Sequence, residues 1–357
     1  VVAAFVDWPS LPSSLRRGWA GLRRHSFEAS LVGALVVATF LLRVINLEGI
    51  PFVLGGDEAS MGLEAVRTME GQLNNPFATG WLSHPTFYFF LLSIPLRLFG
   101  RSTSALRLLS PFCSAGIALL LYLFARRLYG RWIALLALIY FSAYHFAIHY
   151  GRLAMNNIWD PFFALGVLYF LVRGLEEKRL GSLAIAGALG GLCIYFYMGT
   201  RLIPFIVLAY LAHWALSERD FLRDHLVHLL IVGMVAVVAG LPLLVFWSRH
   251  PQDMMARWNW LGIFPSGWVK QTQASTGRSV FSIVFEQFLK SVLAYNYYPD
   301  PTFWYHPQIP LLQFIPSIFF VFGLTYALWQ WRKREYFLLV AWYLLVMIFG
   351  GMLLENP

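Results

Sequence analysis

The sequence predicts an all-α polytopic membrane protein, a bundle of about nine transmembrane helices with helical external loops. Three observations lead there. Of the 357 residues, 59% are hydrophobic, 17% aromatic and only 13% charged, whereas a soluble domain carries about 25% charged residues. Apolar runs able to cross roughly 30 Å of hydrocarbon recur from residue 27 to the end. Basic doublets and triplets such as Arg126-Arg127 and Arg332-Lys333-Arg334 separate those runs, as topology signals do. One transmembrane domain therefore occupies 27–357, after a basic cytoplasmic segment at 1–26.

The crossings are expected near 28–46, 105–125, 132–149, 160–174, 182–197, 202–217, 226–247, 309–331 and 336–354. The first follows Arg16, Arg17, Arg23 and Arg24 and is too long for a cleaved secretory segment, so it reads as a signal anchor. Segment 85–99 has an apolar core of about ten residues and contains Pro95, too short to span, and is placed in the interface. With that choice, the clusters around Arg126, Arg173, Arg219 and Arg332 all share a side with the N-terminus. The loops 47–104 and 249–308 then face outward.

The net charge of +9 is accounted for by these topology clusters and does not call for nucleic acid. Cys113 and Cys193 lie inside apolar runs and suggest neither a disulfide nor a metal site. The chain ends at Glu355-Asn356-Pro357 directly after an apolar run, and reads as a piece of a longer protein.

Asp57, in Gly55-Gly56-Asp57-Glu58, precedes a helical stretch to about Gly71. It reads equally as a helix N-cap or as a general base beside the membrane. Asp160 before Pro161 is either a helix start or an external carboxylate, and Asn156 and Asn157 stand just ahead of it. His84, Arg152 and Arg201 are cations near the outer boundary; an Arg fork suits a phosphate, although a boundary Arg more often snorkels. His145 and His149 have the spacing of a metal pair but no acidic companion, so packing or substrate contact is favoured. Tyr195, Tyr197, Trp258, Trp260, Trp268, the run Tyr295 to Asp300, and Phe303 to His306 suit either sugars or the interfacial belt.

The order of these features resembles the bacterial members of glycosyltransferase family 39, relatives of protein O-mannosyltransferases and of the lipid A aminoarabinose transferase. The residues that carry the likeness are Asp57-Glu58, then Leu82 to Thr86 with Tyr88, Phe99-Gly100, Ala105-Leu106-Arg107 and Arg126 to Gly130. It continues through Tyr150-Gly151-Arg152, Asn156-Asn157, Asp160-Pro161, Gly190-Gly191, Tyr195 to Arg201, and Pro310 to Gly323. The resemblance implies the C-type glycosyltransferase helical bundle and transfer of one sugar, with inversion, from a polyprenyl-phosphate donor to an external acceptor. It gives Asp57, Glu58 and Asp160 the catalytic positions. His84 falls where the aminoarabinose transferase has a lysine.

The expected site is therefore Asp57, Glu58 and Asp160 for catalysis and Arg201, Arg152 and His84 for donor phosphate. His149, Asn156, Tyr197 and Asp300 are weaker sugar or acceptor contacts. No metal or other cofactor is implied. The partners are a lipid-linked sugar, membrane lipids, an acceptor of open identity (protein, lipid or glycan) and, for a membrane complex, other subunits; the expected location is the bacterial plasma membrane. The alternative is a non-catalytic transmembrane subunit of such a complex; a transporter is disfavoured because no internal repeat is found.

Overall fold

Backbone carbonyls freed at helix ends have no water to turn to inside a bilayer, and two buried arginines meet that need here. The computed structural model describes residues 26–300, 302 and 304–355. Segment 1–25 with Arg16, Arg17, Arg23 and Arg24, as well as Phe303 and Asn356-Pro357, lies outside the described residues.

Helix α1 (Ser26–Val44) is followed by a loop, then by α2 (Gly56–Met69), α3 (Phe87–Phe99) and α4 (Thr103–Arg107). Next come α5 (Leu109–Tyr129), α6 (Arg131–Ala143), α7 (His145–Tyr150), α8 (Trp159–Glu176), α9 (Leu180–Leu192), α10 (Ile203–Ser217) and α11 (Phe221–Arg249). The second long loop holds α12 (Pro251–Leu261), α13 (Trp268–Thr276) and α14 (Val280–Leu293), before α15 (Phe314–Trp329) and α16 (Arg334–Met347). No strand occurs among the described residues. By length and composition, six helical segments can cross a membrane: Phe27–Val44, Thr103–Tyr129, Asn156–Glu176, Met198–Ser217, Phe221–Arg249 and Arg334–Met352. Shorter apolar helices occur at Phe87–Phe99, Arg131–Ala143, Leu180–Tyr195 and Phe314–Trp329, and the last three fall on the remaining three expected crossings.

Segment 87–99 has 13 residues, about 20 Å of helix, and packs on α2 through buried Met61, Ala65, Tyr88, Phe89 and Leu92. The first loop is thus a helical layer of its own.

Helix α6 breaks at Tyr144, which is extended at φ −70°, ψ 118°. The carbonyls released there, Phe141 and Ser142, accept from Arg43 at 3.1 and 3.4 Å, and Arg43 also donates to Ala147 and Thr39. In return Arg152 donates to Leu42, Ile45, Asn46 and Ile50 at 2.6–2.9 Å, closing the end of α1. Each arginine caps the other's helix.

The basic clusters meet at one end of the bundle. Arg126 pairs with Glu28 at 2.6 Å, and Arg127 with Glu176 and Glu177 at 2.7 Å. Tyr129 donates to the Glu335 carbonyl, and Arg334 lies 3.8 Å from Glu218. The start of α1, the ends of α5, α8 and α10, and the start of α16 therefore share a face, as charge alone predicted.

Helices α9 and α11 pack through glycine. A Cβ on Gly187 would stand 2.5 Å from the Val232 carbonyl, and one on Gly191 would overlap the Ala236 carbonyl oxygen. Backbone atoms cannot swing aside as a side-chain tip can. Gly191→Val is expected to destabilise by about 1–3 kcal/mol or more, while Gly233→Val, on α11 with nothing within 4 Å, stays near wild type. Thermal unfolding in detergent checks this; equal stability of the two variants would show that the approach is not tight.

Candidate active site

At the end opposite the basic clusters Arg107 is fully buried, in a two-pronged ion pair with Glu58 at 2.7 Å on both arms. Its remaining N–H groups go to the carbonyls of Leu47, Pro51 and Val53 at 2.8, 2.8 and 3.2 Å, so all five donors are used. Glu58 accepts a further bond from the Ala154 amide at 2.8 Å. One guanidinium thereby folds loop 47–55, seats the first turn of α2, and ties both to the strand of chain before α8. The Glu58 carboxylate, enclosed by these partners, has a positioning role rather than the catalytic one expected.

Asp57 is the neighbour that this pairing leaves outward. The N-cap of α2 is Gly55, with no side-chain cap, so Asp57 lies in the first turn and is not the N-cap. It is half-buried.

Tyr197, His84 and Trp81 form a stack: the His84 ring lies 5.7 Å from Tyr197 and 5.4 Å from Trp81, both nearly parallel. The Asn156 amide nitrogen donates to the Phe196 carbonyl at 2.7 Å, which fixes its orientation, and to His84 Nδ1 at 3.0 Å. His84 Nδ1 is therefore the acceptor and the ring is neutral. Burial, then the nearby Arg257 charge, holds its pKa down to about 3. His84 is not the phosphate cation that the sequence suggested; it braces Tyr197.

Asp160 stands in the first turn of α8, with one carboxylate oxygen pressed against Gly199 and the other, Oδ1, buried without a hydrogen-bond partner. Gly199 is needed because any side chain there would overlap that carboxylate. Helix α9 stops at Leu192, short of the expected run to residue 197, and two short turns, Cys193–Tyr195 and Met198–Leu202, follow it. Extended Tyr197, at φ −136°, ψ 161°, separates them. Arg201 in the second turn stacks over Trp247 at 4.7 Å and donates to the Met254 carbonyl, while its Nε is buried without a partner.

Asp160, Tyr197 and Arg201 line one end of a cavity of about 880 Å³, whose other walls are apolar, among them Ile203, Leu244, Trp247, Trp342 and Val346. Helix α12 roofs this end, held to the first loop by a 2.7 Å bond from Thr79 to Asp253. On α12 sits Arg257, directly before Trp258 and not among the cations expected in the site. Its guanidinium lies within hydrogen-bonding reach of the Tyr197 hydroxyl. Nε and Nη1 of Arg257 are buried without hydrogen-bond partners. A cation amid interfacial tryptophans was the signal available in the sequence.

Three expected residues stand apart. Arg152 is committed to the carbonyls of Leu42, Ile45, Asn46 and Ile50 and has no fork to offer a phosphate. His149 donates through Nε2 to the Trp304 carbonyl at 2.8 Å and stacks on Tyr305 at 4.2 Å, and its pKa is lowered chiefly by burial. Asp300 accepts from the Thr302 amide and hydroxyl at 3.0 and 2.8 Å, shaping its own loop.

The fold is the C-type glycosyltransferase bundle. The crystal structure of the Archaeoglobus fulgidus oligosaccharyltransferase, a complex with zinc and sulfate, superposes with a TM-score of 0.53 at 15% identity. The match covers 89% of this chain but only 45% of the solved one, so this chain spans less than half of that protein. Residues 83–246 match the family model described as dolichyl-phosphate-mannose-protein mannosyltransferase, which bears out over that span the likeness read from the motifs. No individual curated protein matches the chain.

Two outcomes follow from this geometry. Arg107→Met or Glu58→Met leaves a buried charge unpaired and is expected to cost about 3–5 kcal/mol in detergent unfolding. The double variant recovers only part of it, because three carbonyls still lack donors; single variants of wild-type stability would contradict the role. For His84, a folded pKa near 3 against 6.5 unfolded means that the neutral ring's contribution is whole above pH 6.5 and is lost as pH falls towards 3. Melting temperature should fall less steeply below pH 6.5 in His84→Gln than in the wild type; identical slopes would remove His84 from the account of acid stability.

Proposed function

We propose that the protein is an inverting glycosyltransferase that moves a single sugar from a polyprenyl-phosphate donor to an acceptor hydroxyl at the external face of the bacterial plasma membrane. The observation that carries this reading is an apolar cavity ending in Asp160, Tyr197 and Arg201, with the underused guanidinium of Arg257 above. A ligand with a long apolar tail and an anionic, hydroxyl-rich head suits that gradient of polarity. The family match over 83–246 supports sugar transfer as the chemistry.

In this mechanism the acceptor oxygen attacks the anomeric carbon as its proton passes to Asp57. The bond from that carbon to the phosphate oxygen breaks, its electron pair remains on the phosphate, and the configuration inverts through an oxocarbenium-like transition state. A phosphate needs no acid to leave; it needs cations where charge develops, which is the part given to Arg257 and Arg201. Asp160, in the cavity wall, is assigned to the sugar rather than to the departing phosphate. The basic end takes the cytoplasmic side by the positive-inside rule, which turns the Asp57 end outward. The acceptor is any hydroxyl-bearing protein, lipid or glycan presented there.

Transfer from radiolabelled polyprenyl-phosphate sugars by purified protein tests the proposal. Asp57→Asn should lower transfer by about 10²–10⁴ while leaving unfolding near wild type, since Asp57 caps nothing. Arg257→Ala and Arg201→Ala should each lose roughly 1.5–3 kcal/mol of donor binding, about ten- to a hundredfold. Full transfer by Asp57→Asn, or unchanged donor affinity in both arginine variants, would sink the mechanism.

A further inference from the structure

The basic end of the bundle divides into two halves. Around α1, α5 and α8 the cations are met: Arg126 pairs with Glu28, Arg127 with Glu176 and Glu177, and Arg179 with Glu177. Around the turn from α10 to α11 and the turn from α15 to α16 they are not. Arg219, Arg223, Arg332 and Lys333 have no ion pair among the described residues, and the acids of the same stretches, Glu218, Asp220, Asp224 and Glu335, meet a cation only where Glu218 lies 3.8 Å from Arg334. That contact is too long for a hydrogen bond, and the Glu218 side chain is 53% exposed.

Buried donors in the same corner are unmet as well. Trp214, in the last turn of α10, is 3% exposed, and its Nε1 has no hydrogen-bond partner. The Arg334 guanidinium lies over the Trp214 ring at 4.0 Å, with Nη1 buried and unpartnered. A cation over the face of an indole leaves the N–H, which lies in the ring plane, available. In the first turns of α11, His225 stands 5.8 Å from Trp214 and 5.6 Å from His228, and Nδ1 of both imidazoles is buried without a partner. Indole and guanidinium N–H groups can only donate, and a neutral imidazole can take the tautomer that donates through Nδ1. What this corner lacks is an acceptor.

The surface around the corner is that of a membrane boundary. Leu216, Leu222 and Leu226 are 88%, 56% and 54% exposed, and Trp329 and Trp331, at and just past the end of α15, are 75% and 50% exposed. Exposed leucines beside exposed tryptophans mark the level where acyl chains give way to headgroups. The bilayer itself presents an anionic, oxygen-rich acceptor at that level, the lipid phosphate. Snorkelling accounts for Arg332 and Lys333. It does not account for a buried indole N–H and a buried guanidinium N–H with nothing to bond, because unmet donors are costly at the edge of a bilayer.

We propose that the corner between α10, α11 and α16 is a binding site for an anionic phospholipid, whose phosphate oxygens accept from Trp214 Nε1 and Arg334 Nη1. The unpaired Arg219, Arg223, Arg332 and Lys333 supply the field that favours a negative headgroup. By the orientation given above, the lipid belongs to the cytoplasmic leaflet. The site lies at the opposite end of the bundle from Glu58 and Arg107 and does not depend on the sugar-transfer reading. Because its donors sit on α10 and α16 and its histidines on α11, occupancy ties three helices together and stabilises the fold.

The test follows thermal unfolding of the whole chain in an uncharged detergent, titrated with dioleoyl phosphatidylglycerol, with phosphatidylcholine of the same acyl chains, and with inorganic phosphate. Phosphatidylglycerol is expected to raise the melting temperature saturably, phosphatidylcholine far less, and millimolar phosphate not at all. Arg334→Gln should raise the half-saturating phosphatidylglycerol concentration about tenfold or more, and Trp214→Phe, which keeps a ring and removes the N–H, about threefold or more. Arg131→Gln, an equal change of charge at the start of α6, should leave it within about twofold. Native mass spectrometry should find phosphatidylglycerol retained on the wild type; a wild type that retains none overturns the site whatever the variants do. Equal stabilisation by phosphatidylcholine, equal weakening by Arg131→Gln, or wild-type half-saturation in Trp214→Phe also overturns it. Protection by phosphate alone as strong as by the lipid overturns the lipid as the occupant.

Discussion

The buried pair of Glu58 and Arg107 is the constraint on which the end opposite the basic clusters depends. Removing two ions from water is costly, and a pair of this kind holds only if every remaining donor and acceptor is met. Here the five N–H groups of Arg107 are all taken, three of them by carbonyls of a loop with no regular structure. Because Glu58 is fixed, the first turn of α2, which also holds Asp57, is fixed with it.

The same logic recurs through the bundle with different partners. Arg43 and Arg152 gather carbonyls where α6 and α1 end, so cations that look like phosphate ligands or membrane anchors are in fact part of the backbone's hydrogen bonding. Arg201 and Arg257 differ because guanidinium nitrogens are left over. Burial of a cation with unused donors is what separates a ligand-facing arginine from a structural one.

Much of the architecture was legible in the sequence. The length of apolar runs set the nine crossing segments, and the basic doublets identified one common end, because both depend only on local composition. The residues of the cleft were legible in part: Tyr197, Asp160 and Arg201 line one cavity. Arg152, His84 and Glu58 were misassigned for one reason: their roles depend on partners far away in sequence, such as the Leu42 carbonyl for Arg152 or Asn156 for His84. The end of α9 was also missed, since the break at Tyr197 answers to the Asp160 carboxylate against Gly199, a contact between segments that no periodicity reports. Arg257 was overlooked because it lies in a loop whose helix, α12, has no apolar run to announce it.

All of this chemistry requires that the end carrying Asp57 faces the compartment opposite the basic clusters. Single cysteines at Ser266, in the long loop after α12, and at Ser217, at the end of α10, test it directly with a membrane-impermeant thiol reagent on intact cells. Cys113 and Cys193 are buried and should stay silent. Labelling of Ser266→Cys in intact cells, with Ser217→Cys labelled only after permeabilisation, is the predicted result. The reverse pattern would put the cleft in the cytoplasm and contradict an external transferase.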